Sequence, residues 1–260
     1  MEVMLVSFVI LCLTLLIWYR GALPVKRIAP SHTPNAKLLT LSSDLLYQIK
    51  VDQATQAIEE SLASYTLSDL QRGLPDDVSR KVFWINLYNA FYQLLAQRYP
   101  KSKKRIFTRK DIRFADVRFS LDDIEHGILR KYRWKYSLGY WPQFFPSRAI
   151  KTLAIGTLDY KIHFALNCGA VSCPPIAFYA LDQLDKQLDL ATESFLQQDT
   201  HIDVERKQLQ VSSLMKWFKA DFGGTKGCKA ILSHYLQTDF SNYTIRYKPY
   251  NWQQALKNFT

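Results

Sequence analysis

Apolar positions recur at helical spacing along much of the chain, and this pattern predicts a mainly helical protein. The apolar residues between 38 and 65 share one face, as expected for a helix packed on a core. Asp76 and Asp77 stand where they can cap a long helix that ends near Tyr99. Shorter helices are predicted over residues 121–130, 181–196, 212–218 and 229–236.

Alternating apolar and polar positions predict a smaller amount of sheet. Residues 161–168 are predicted as a strand, residues 202–211 as a hairpin of two short strands, and residues 243–247 as a final strand. Because helix exceeds strand, the fold class expected is α+β, a mostly helical single domain with a small antiparallel sheet.

The long predicted helix carries amides on a face that should be buried. Residues 82–97 contain no charge, so most of this helix is expected inside the protein. Asn86, Asn89 and Gln93 recur at spacings that place them on one face. Each must find a hydrogen-bond partner or cost about 1–3 kcal/mol. They either bond to neighbouring backbone or line a cleft, and the sequence leaves both open.

The N-terminus is predicted to be a membrane anchor. Val3–Tyr19 has no charge and would form a helix roughly 25 Å long, at the lower end for a span. A cleaved signal peptide fits less well, because Glu2 precedes the run and no small-residue cleavage site is evident. A buried helix also fits less well, because the run is apolar on every face.

The domain organisation expected is an anchor, a linker and one globular domain. Residues 1–20 form the anchor, and residues 21–36 contain three prolines and no apolar period, as in a linker. The globular domain is predicted over 37–260. The protein would then be a single-pass membrane protein. Basic residues after the anchor favour a cytoplasmic domain, but short anchors often break that tendency, so the side stays undecided.

Composition and charge exclude some classes and suggest one kind of partner. The chain has 260 residues, 48% of them hydrophobic and 22% charged, which excludes a mainly disordered, collagen-like or polytopic membrane protein. Residues 101–135 hold 12 Lys/Arg and 5 Asp/Glu, a net charge of +7 within a total of +11. This basic segment suits an anionic surface or a protein partner, or is simply a solvated face. No nucleic-acid motif is present, so no specific nucleic acid is expected.

Thiol and imidazole groups are the candidate chemistry. His163 lies five residues before Cys168, and in a strand their side chains would face opposite sides, roughly 16 Å apart. This spacing favours His126 as the base for Cys168, while His163 would serve a nucleophile such as Cys173. Cys168 and Cys173 could instead form a disulfide, bind zinc with the two histidines, or be buried thiols. The zinc spacing matches no standard pattern, and no metal or cofactor is expected.

Several sequence blocks resemble one protein family. FWINLYNAF (83–91), LDDIEHGILR (121–130) and IHFALNCGAVSCPP (162–175) resemble the domain of unknown function 547 family, and WFKADFGG (217–224) and YKPYNW (247–252) are similar to its C-terminal blocks. The resemblance covers roughly residues 75–252. It implies no mechanism, but it directs attention to the residues that match the family pattern: Trp84, Asn86, Asn89, Glu125, His163, Cys168 and Ser172.

Two functions follow as hypotheses. A buried helix followed by a histidine-bearing strand is similar to papain-like and transglutaminase-like hydrolases, although no cysteine lies near this helix. The first hypothesis is thiol-dependent hydrolysis or acyl transfer, and its roles are as follows: Cys168 as nucleophile, His163 or His126 as base, Glu125 as orienting carboxylate, and Asn86 or Asn89 as oxyanion donor. The second is a non-catalytic binding or scaffold module, held at a membrane by the anchor and the basic segment.

Overall fold

The computed structural model describes residues 33–101 and 105–260, and eight α-helices lie within them. Their bounds are α1 Ala36–Lys50, α2 Gln56–Ala63, α3 Leu67–Gly73, α4 Asp77–Arg98, α5 Arg148–Leu153, α6 Leu184–Asp199, α7 Leu214–Trp217 and α8 Gly224–Tyr235. The other regular elements are a π-helix Asp123–Leu129, two 3₁₀ helices Lys135–Ser137 and Tyr160–Phe164, and strands β1 Ile112–Arg113, β2 Arg118–Phe119, β3 His201–Asp203, β4 Gln208–Val211 and β5 Thr244–Tyr247.

Helix α4 is the centre of the larger hydrophobic core, as its charge-free run predicted. The Asp76 carboxylate caps it by accepting a hydrogen bond from the Ser79 amide at 2.8 Å. Every residue from Ser79 to Ala96 is buried, and α1 packs along the helix. The fully buried Trp84 ring meets neighbouring aromatic rings edge to face. Since the helix ends at Arg98, Pro100 lies just outside it, as predicted.

The single helix expected over residues 38–65 is two helices. Helix α1 ends at Lys50, and the chain turns through Asp52, which adopts a positive φ of 58°. A right-handed helix cannot pass through that conformation, so α2 begins afresh at Gln56. The apolar spacing is helical on both sides of the turn, but it does not reveal a turn of this length.

Two small sheets give the described residues their α+β character, which confirms the predicted class. Strands β3 and β4 pair antiparallel as the predicted hairpin. Strand β5 then pairs with β4 in parallel, so the three-stranded sheet is mixed, and the prediction of an antiparallel sheet was wrong on this point. Strands β1 and β2 form a separate antiparallel pair.

The strand expected over residues 161–168 is absent. Tyr160–Phe164 forms a 3₁₀ helix, because the Asp159 carboxylate accepts a hydrogen bond from the Lys161 amide and caps the turn. The chain from Leu166 to Cys168 is irregular. The strand geometry that separated His163 from Cys168 therefore does not apply to this segment.

The predicted membrane anchor, Val3–Tyr19, and residues 21–32 of the predicted linker lie outside the described residues. Among the helices that are described, none combines the length and the apolar character needed to cross a membrane.

Candidate active site

A cavity of about 730 Å³ lies between α4, the π-helix, the turn at residues 168–170 and α7. Its walls include four of the six site residues predicted from sequence: Glu125, His126, His163 and Cys168. Asn86 and Asn89 do not line it. The remaining wall is largely aromatic and aliphatic, which is typical of a pocket for a small organic group.

Glu125 places a carboxyl group in the cavity wall from the π-helix. Such helices often occur at functional sites. This one begins with a reciprocal cap, in which the Ser120 hydroxyl accepts from the Asp123 amide and the Asp123 carboxylate accepts from the Ser120 amide. The Tyr88 hydroxyl donates to Glu125 Oε2 at 2.9 Å. Burial raises the pKa of Glu125 from 4.5 to about 7, although Arg130 and the Tyr88 hydrogen bond oppose the shift. A carboxyl with this pKa can exchange a proton near neutral pH.

The raised pKa of Glu125 predicts that stability falls as pH rises. The folded protein holds this proton more tightly than the unfolded chain, so the stabilisation is complete below pH 4.5 and is lost as pH rises to about 7. We expect the wild type to lose about 2–3 kcal/mol more than Glu125→Gln across this range, measured by urea unfolding at several pH values. The exposed Glu60→Gln change serves as control. If the free energy of unfolding changed with pH in the same way in the wild type and in Glu125→Gln, the raised pKa of Glu125 would be contradicted.

His163 is held by a buried carboxylate, which is Asp221 and not Glu125. His163 Nε2 lies 2.9 Å from Asp221 Oδ2, and both side chains are at most 1% exposed. Burial works to raise the pKa of Asp221, but hydrogen bonds from His163 and Arg130 lower it to about 2. Burial lowers the pKa of His163, against the attraction of Asp221. The imidazole ring also stacks on Phe218, with the ring centroids 4.0 Å apart.

The ionised Asp221 determines which ring nitrogen of His163 can act as a base. A carboxylate only accepts hydrogen bonds, so the neutral imidazole carries its proton on Nε2. Nδ1 then holds the lone pair, and it forms no hydrogen bond within the residues that the structure covers. This is the arrangement of an oriented general base.

His126 does not suit the role of base that the sequence suggested. Arg130 Nη1 lies 2.8 Å from His126 Nδ1, and arginine can only donate, so Nδ1 accepts this bond. Burial, followed by the Arg130 charge, lowers the pKa of His126 well below its ordinary value. The neutral ring therefore carries its proton on Nε2, which lies 3.7 Å from Asp122 Oδ1. His126 can donate a hydrogen bond, but its acceptor nitrogen is occupied.

Arg130 connects the two histidines and fixes the geometry of this wall. Its side chain is fully buried, its Nε donates to Asp221 Oδ2 at 2.5 Å, and its guanidinium lies 4.5 Å from the Phe218 ring centroid. Gly139 passes close by with a φ of +87°, and a Cβ there would stand 2.3 Å from Asp221 Oδ1. Glycine is required at that point by both space and conformation.

Cys168 and Cys173 form a disulfide, one of the alternatives left open by the sequence. Their Cα atoms lie 6.2 Å apart, within the usual range for a disulfide. A bonded Cys168 has no thiolate, so it can act as a nucleophile only after reduction. Cys228 is the other cysteine that the structure covers, and it is a buried free thiol. Over these same residues, no cluster of three or more His, Cys, Asp or Glu side chains could hold a metal ion.

The helix amides bind backbone and do not face the cavity. Asn86 Nδ2 donates to the Tyr179 carbonyl, and Asn86 Oδ1 accepts from the Tyr179 amide. Asn89 makes the same pair of bonds with the Ala165 carbonyl and the Asn167 amide. Both amide groups are fully buried and already donate to carbonyls. These hydrogen bonds leave neither Asn86 nor Asn89 free to act as an oxyanion donor.

Four residues that were not predicted from the sequence complete the site. Tyr88 binds Glu125, Arg130 and Asp221 hold the histidines, and Tyr250 contacts the disulfide. Each lies inside one of the five sequence blocks that resemble the family. The position of a polar residue inside such a block could have marked it as a site residue. It could not have shown which residue it contacts, because most of these contacts join residues far apart in the chain.

Comparisons with known proteins identify a family for one segment of the chain, residues 72–196. No curated protein and no solved structure matches the chain, so a papain-like or transglutaminase-like fold gains no support. Residues 72–196 match the family described as "Protein of unknown function, DUF547". The match includes Glu125, His163 and Cys168, whereas Asp221 and Tyr250 lie beyond it. The family assignment therefore applies to residues 72–196, which form a DUF547 segment of unknown function.

Proposed function

We propose that the cavity is the site of a thiol-dependent hydrolase or acyltransferase that works when Cys168 is reduced. One observation carries the proposal. The cavity that Cys168 lines is also lined by His163, whose ring is oriented by the buried carboxylate of Asp221, and by Glu125, whose pKa is raised to about 7. A nucleophile, an oriented base and a proton donor that line the same cavity are the groups that acyl transfer requires.

Each group has one step in this reaction. His163 Nδ1 takes the proton of the Cys168 thiol, and the thiolate attacks the acyl carbonyl carbon. A carbon–sulfur bond forms while the bond to the leaving group breaks, and Glu125, protonated below about pH 7, gives the leaving group a proton. Water or an acceptor hydroxyl then attacks the acyl carbon and gives its proton to Glu125. The carbon–sulfur bond breaks, and His163 returns its proton to the Cys168 thiolate.

The lining of the cavity supports an apolar acyl group as substrate. Aromatic and aliphatic side chains form much of its surface, among them Tyr92, Phe107, Leu166, Leu214 and Trp217. Burying such a group would contribute about 0.8 kcal/mol per CH₂.

Acylation of Cys168 tests the proposal directly. The Cys173→Ser variant leaves Cys168 as a free thiol without added reductant. We expect a burst of p-nitrophenol from p-nitrophenyl butyrate with this variant, and a butyryl group on Cys168 by mass spectrometry. The burst should disappear when His163→Ala is added, because the thiol then loses its base.

Cys228 provides the matched control for thiol reactivity. Burial raises the pKa of its thiol to about 11, so Cys228→Ser should leave the burst unchanged, and iodoacetamide should label Cys168 faster than Cys228. A burst that survives Cys168→Ser, or equal slow labelling of the two thiols, would show that the cavity does not use Cys168 chemistry.

A second candidate is the non-catalytic module that docks on an anionic bilayer. Its support is a loop at residues 134–145, here called the aromatic loop, in which Tyr136, Trp141 and Phe145 are 74%, 60% and 76% exposed. Aromatic side chains beside basic residues suit the interface of a membrane. The basic segment itself gives weaker support, because Lys110, Arg130 and Lys135 pair with acidic groups and residues 102–104 lie outside the described structure.

Vesicle binding distinguishes this candidate from the enzyme. We expect a chain starting at residue 33 to sediment with vesicles of phosphatidylcholine and phosphatidylserine at low salt and to dissociate at high salt. Charge reversal at Lys103, Lys104 and Arg105, or Trp141→Ser with Phe145→Ser, should weaken binding while Cys168→Ser leaves it intact. If neither salt, the charge reversals nor the two aromatic substitutions weakened vesicle binding, docking through basic and aromatic residues would be contradicted.

The location proposed for this domain is a membrane surface, reached through the Val3–Tyr19 anchor. The Cys168–Cys173 disulfide supports an oxidising compartment, because such bonds persist outside the cytosol. Protease accessibility of the domain in intact and in permeabilised cells would determine the side.

A further inference from the structure

The two sulfurs of the disulfide have unequal surroundings. Cys173 Sγ accepts hydrogen bonds from the Cys168 amide at 3.1 Å and the Ala170 amide at 3.4 Å. The Tyr250 hydroxyl lies 3.1 Å from the same sulfur and 3.4 Å from Cys168 Sγ. Since a disulfide sulfur carries no hydrogen, the tyrosine is the donor in both contacts. Within the described residues, Cys173 Sγ therefore accepts from two amides and has the shorter contact with the Tyr250 hydroxyl, whose single hydrogen Cys168 Sγ can only share.

Access to the two sulfurs is also unequal, in the opposite sense. Cys173 is 4% exposed, while Cys168 is half-buried and lines the cavity. A thiol that enters the cavity can reach Cys168 Sγ, whereas Cys173 is enclosed behind the turn. Attack would therefore occur at Cys168, and Cys173 would be the leaving group.

The donors around Cys173 stabilise the product of that attack. Hydrogen bonds to a charged group are stronger than bonds to a neutral one. The same donors therefore favour a Cys173 thiolate over a Cys173 disulfide sulfur. A better-stabilised leaving thiolate leaves faster and makes the disulfide easier to reduce. A purely structural disulfide needs neither an open sulfur nor a prepared leaving site.

We propose that Cys168–Cys173 is a redox-active disulfide that exchanges with a low-molecular-weight thiol bound in the cavity. The thiolate of that molecule attacks Cys168 Sγ, a mixed disulfide forms, and Cys173 leaves as a thiolate held by the two amides and Tyr250. A second molecule of the thiol attacks the sulfur of the first, which releases Cys168 as a thiolate. Two thiols are oxidised to one disulfide, and the protein disulfide gains two electrons and two protons.

This exchange goes beyond the proposed hydrolysis and does not depend on it. Exchange is measured by the redox state of the two cysteines, whereas hydrolysis is measured by acyl transfer to Cys168. The reverse reaction, oxidation of the dithiol, would return the cavity to the form that has no nucleophile.

Trapping the mixed disulfide tests the order of attack in the full-length chain. Oxidised glutathione is the probe. We expect Cys173→Ser to form one glutathione adduct, on Cys168, at least about ten times faster than Cys168→Ser forms one on the enclosed Cys173. Equal rates, or an adduct mainly on Cys173, would overturn the proposal. Circular dichroism of both variants checks that they are folded.

Equilibrium with glutathione redox buffers tests the leaving site without altering either cysteine. We expect the native pair to be reduced by glutathione without denaturant. Tyr250→Phe should shift the equilibrium about tenfold toward the disulfide, which is about 30 mV. The matched control is Tyr247→Phe, since no hydrogen bond joins that hydroxyl to either sulfur in the described structure. A pair that is reduced only after unfolding, or equal midpoints for the two variants, would show an inert structural disulfide.

Discussion

Replacing Asp221 with asparagine is expected to lower the free energy of unfolding by about 3–5 kcal/mol. Asp221 and Arg130 are both 0% exposed, and the guanidinium Nε lies 2.5 Å from Asp221 Oδ2. Neutralising the carboxylate leaves the Arg130 charge inside the protein without its counter-ion. Urea unfolding, followed by tryptophan fluorescence, measures the loss from the change in midpoint.

An exposed ion pair provides the control for this prediction. Asp203 pairs with Arg206 at 3.5 Å, and the Arg206 side chain is 78% exposed, so Asp203→Asn should change stability by less than about 1 kcal/mol. The double variant Arg130→Met, Asp221→Leu removes both buried charges and should be more stable than Asp221→Asn. Equal small losses for Asp221→Asn and Asp203→Asn would mean that water reaches the pair.

The same substitution connects stability to the candidate chemistry. Asp221 holds the proton of His163 on Nε2, and asparagine can orient the ring through its amide with the other tautomer. Nδ1 would then carry the proton and could not accept one. The acylation burst of the Cys173→Ser protein should therefore be lost in Asp221→Asn even at a temperature where the protein remains folded.

The parts of the fold that the sequence predicted well are those with local signals. Helix α4 has a capping aspartate at one end, a proline beyond the other and a charge-free run between them. The β3–β4 hairpin needs only alternating residues and a short turn. In each element the residues that determine the structure are neighbours in sequence, so the pattern carries the information.

The candidate site was predicted only in part, because its contacts are not local. Glu125, His163 and Cys168 were identified from residue type and family resemblance, and all three line the cavity. The partner of His163 is 58 residues away, and Tyr250 is 82 residues from Cys168. No periodicity relates such positions. The segment before Cys168 was also predicted as a strand. The alternation of apolar residues carries no information about the Asp159 cap, which produces a 3₁₀ turn.

Asn89 shows how the central helix positions the cysteine-bearing segment. Its amide oxygen accepts from the Asn167 amide at 2.9 Å, and its amide nitrogen donates to the Ala165 carbonyl at 2.9 Å. Asn167 in turn accepts from the Gly169 amide and donates to the Pro174 carbonyl. The two side chains therefore hold the chain on both sides of Cys168, and all of these bonds are buried.

Asn89→Ala is therefore expected to lower the free energy of unfolding by about 2–5 kcal/mol, because the Ala165 carbonyl and the Asn167 amide both remain buried without a partner. Gln97 lies exposed on the same helix, so Gln97→Ala should change stability by less than about 0.5 kcal/mol. Urea unfolding of both variants measures the difference. If Asn89→Ala were as mild as Gln97→Ala, water would have to replace the amide, and α4 would not be what fixes the position of Cys168 in the cavity wall.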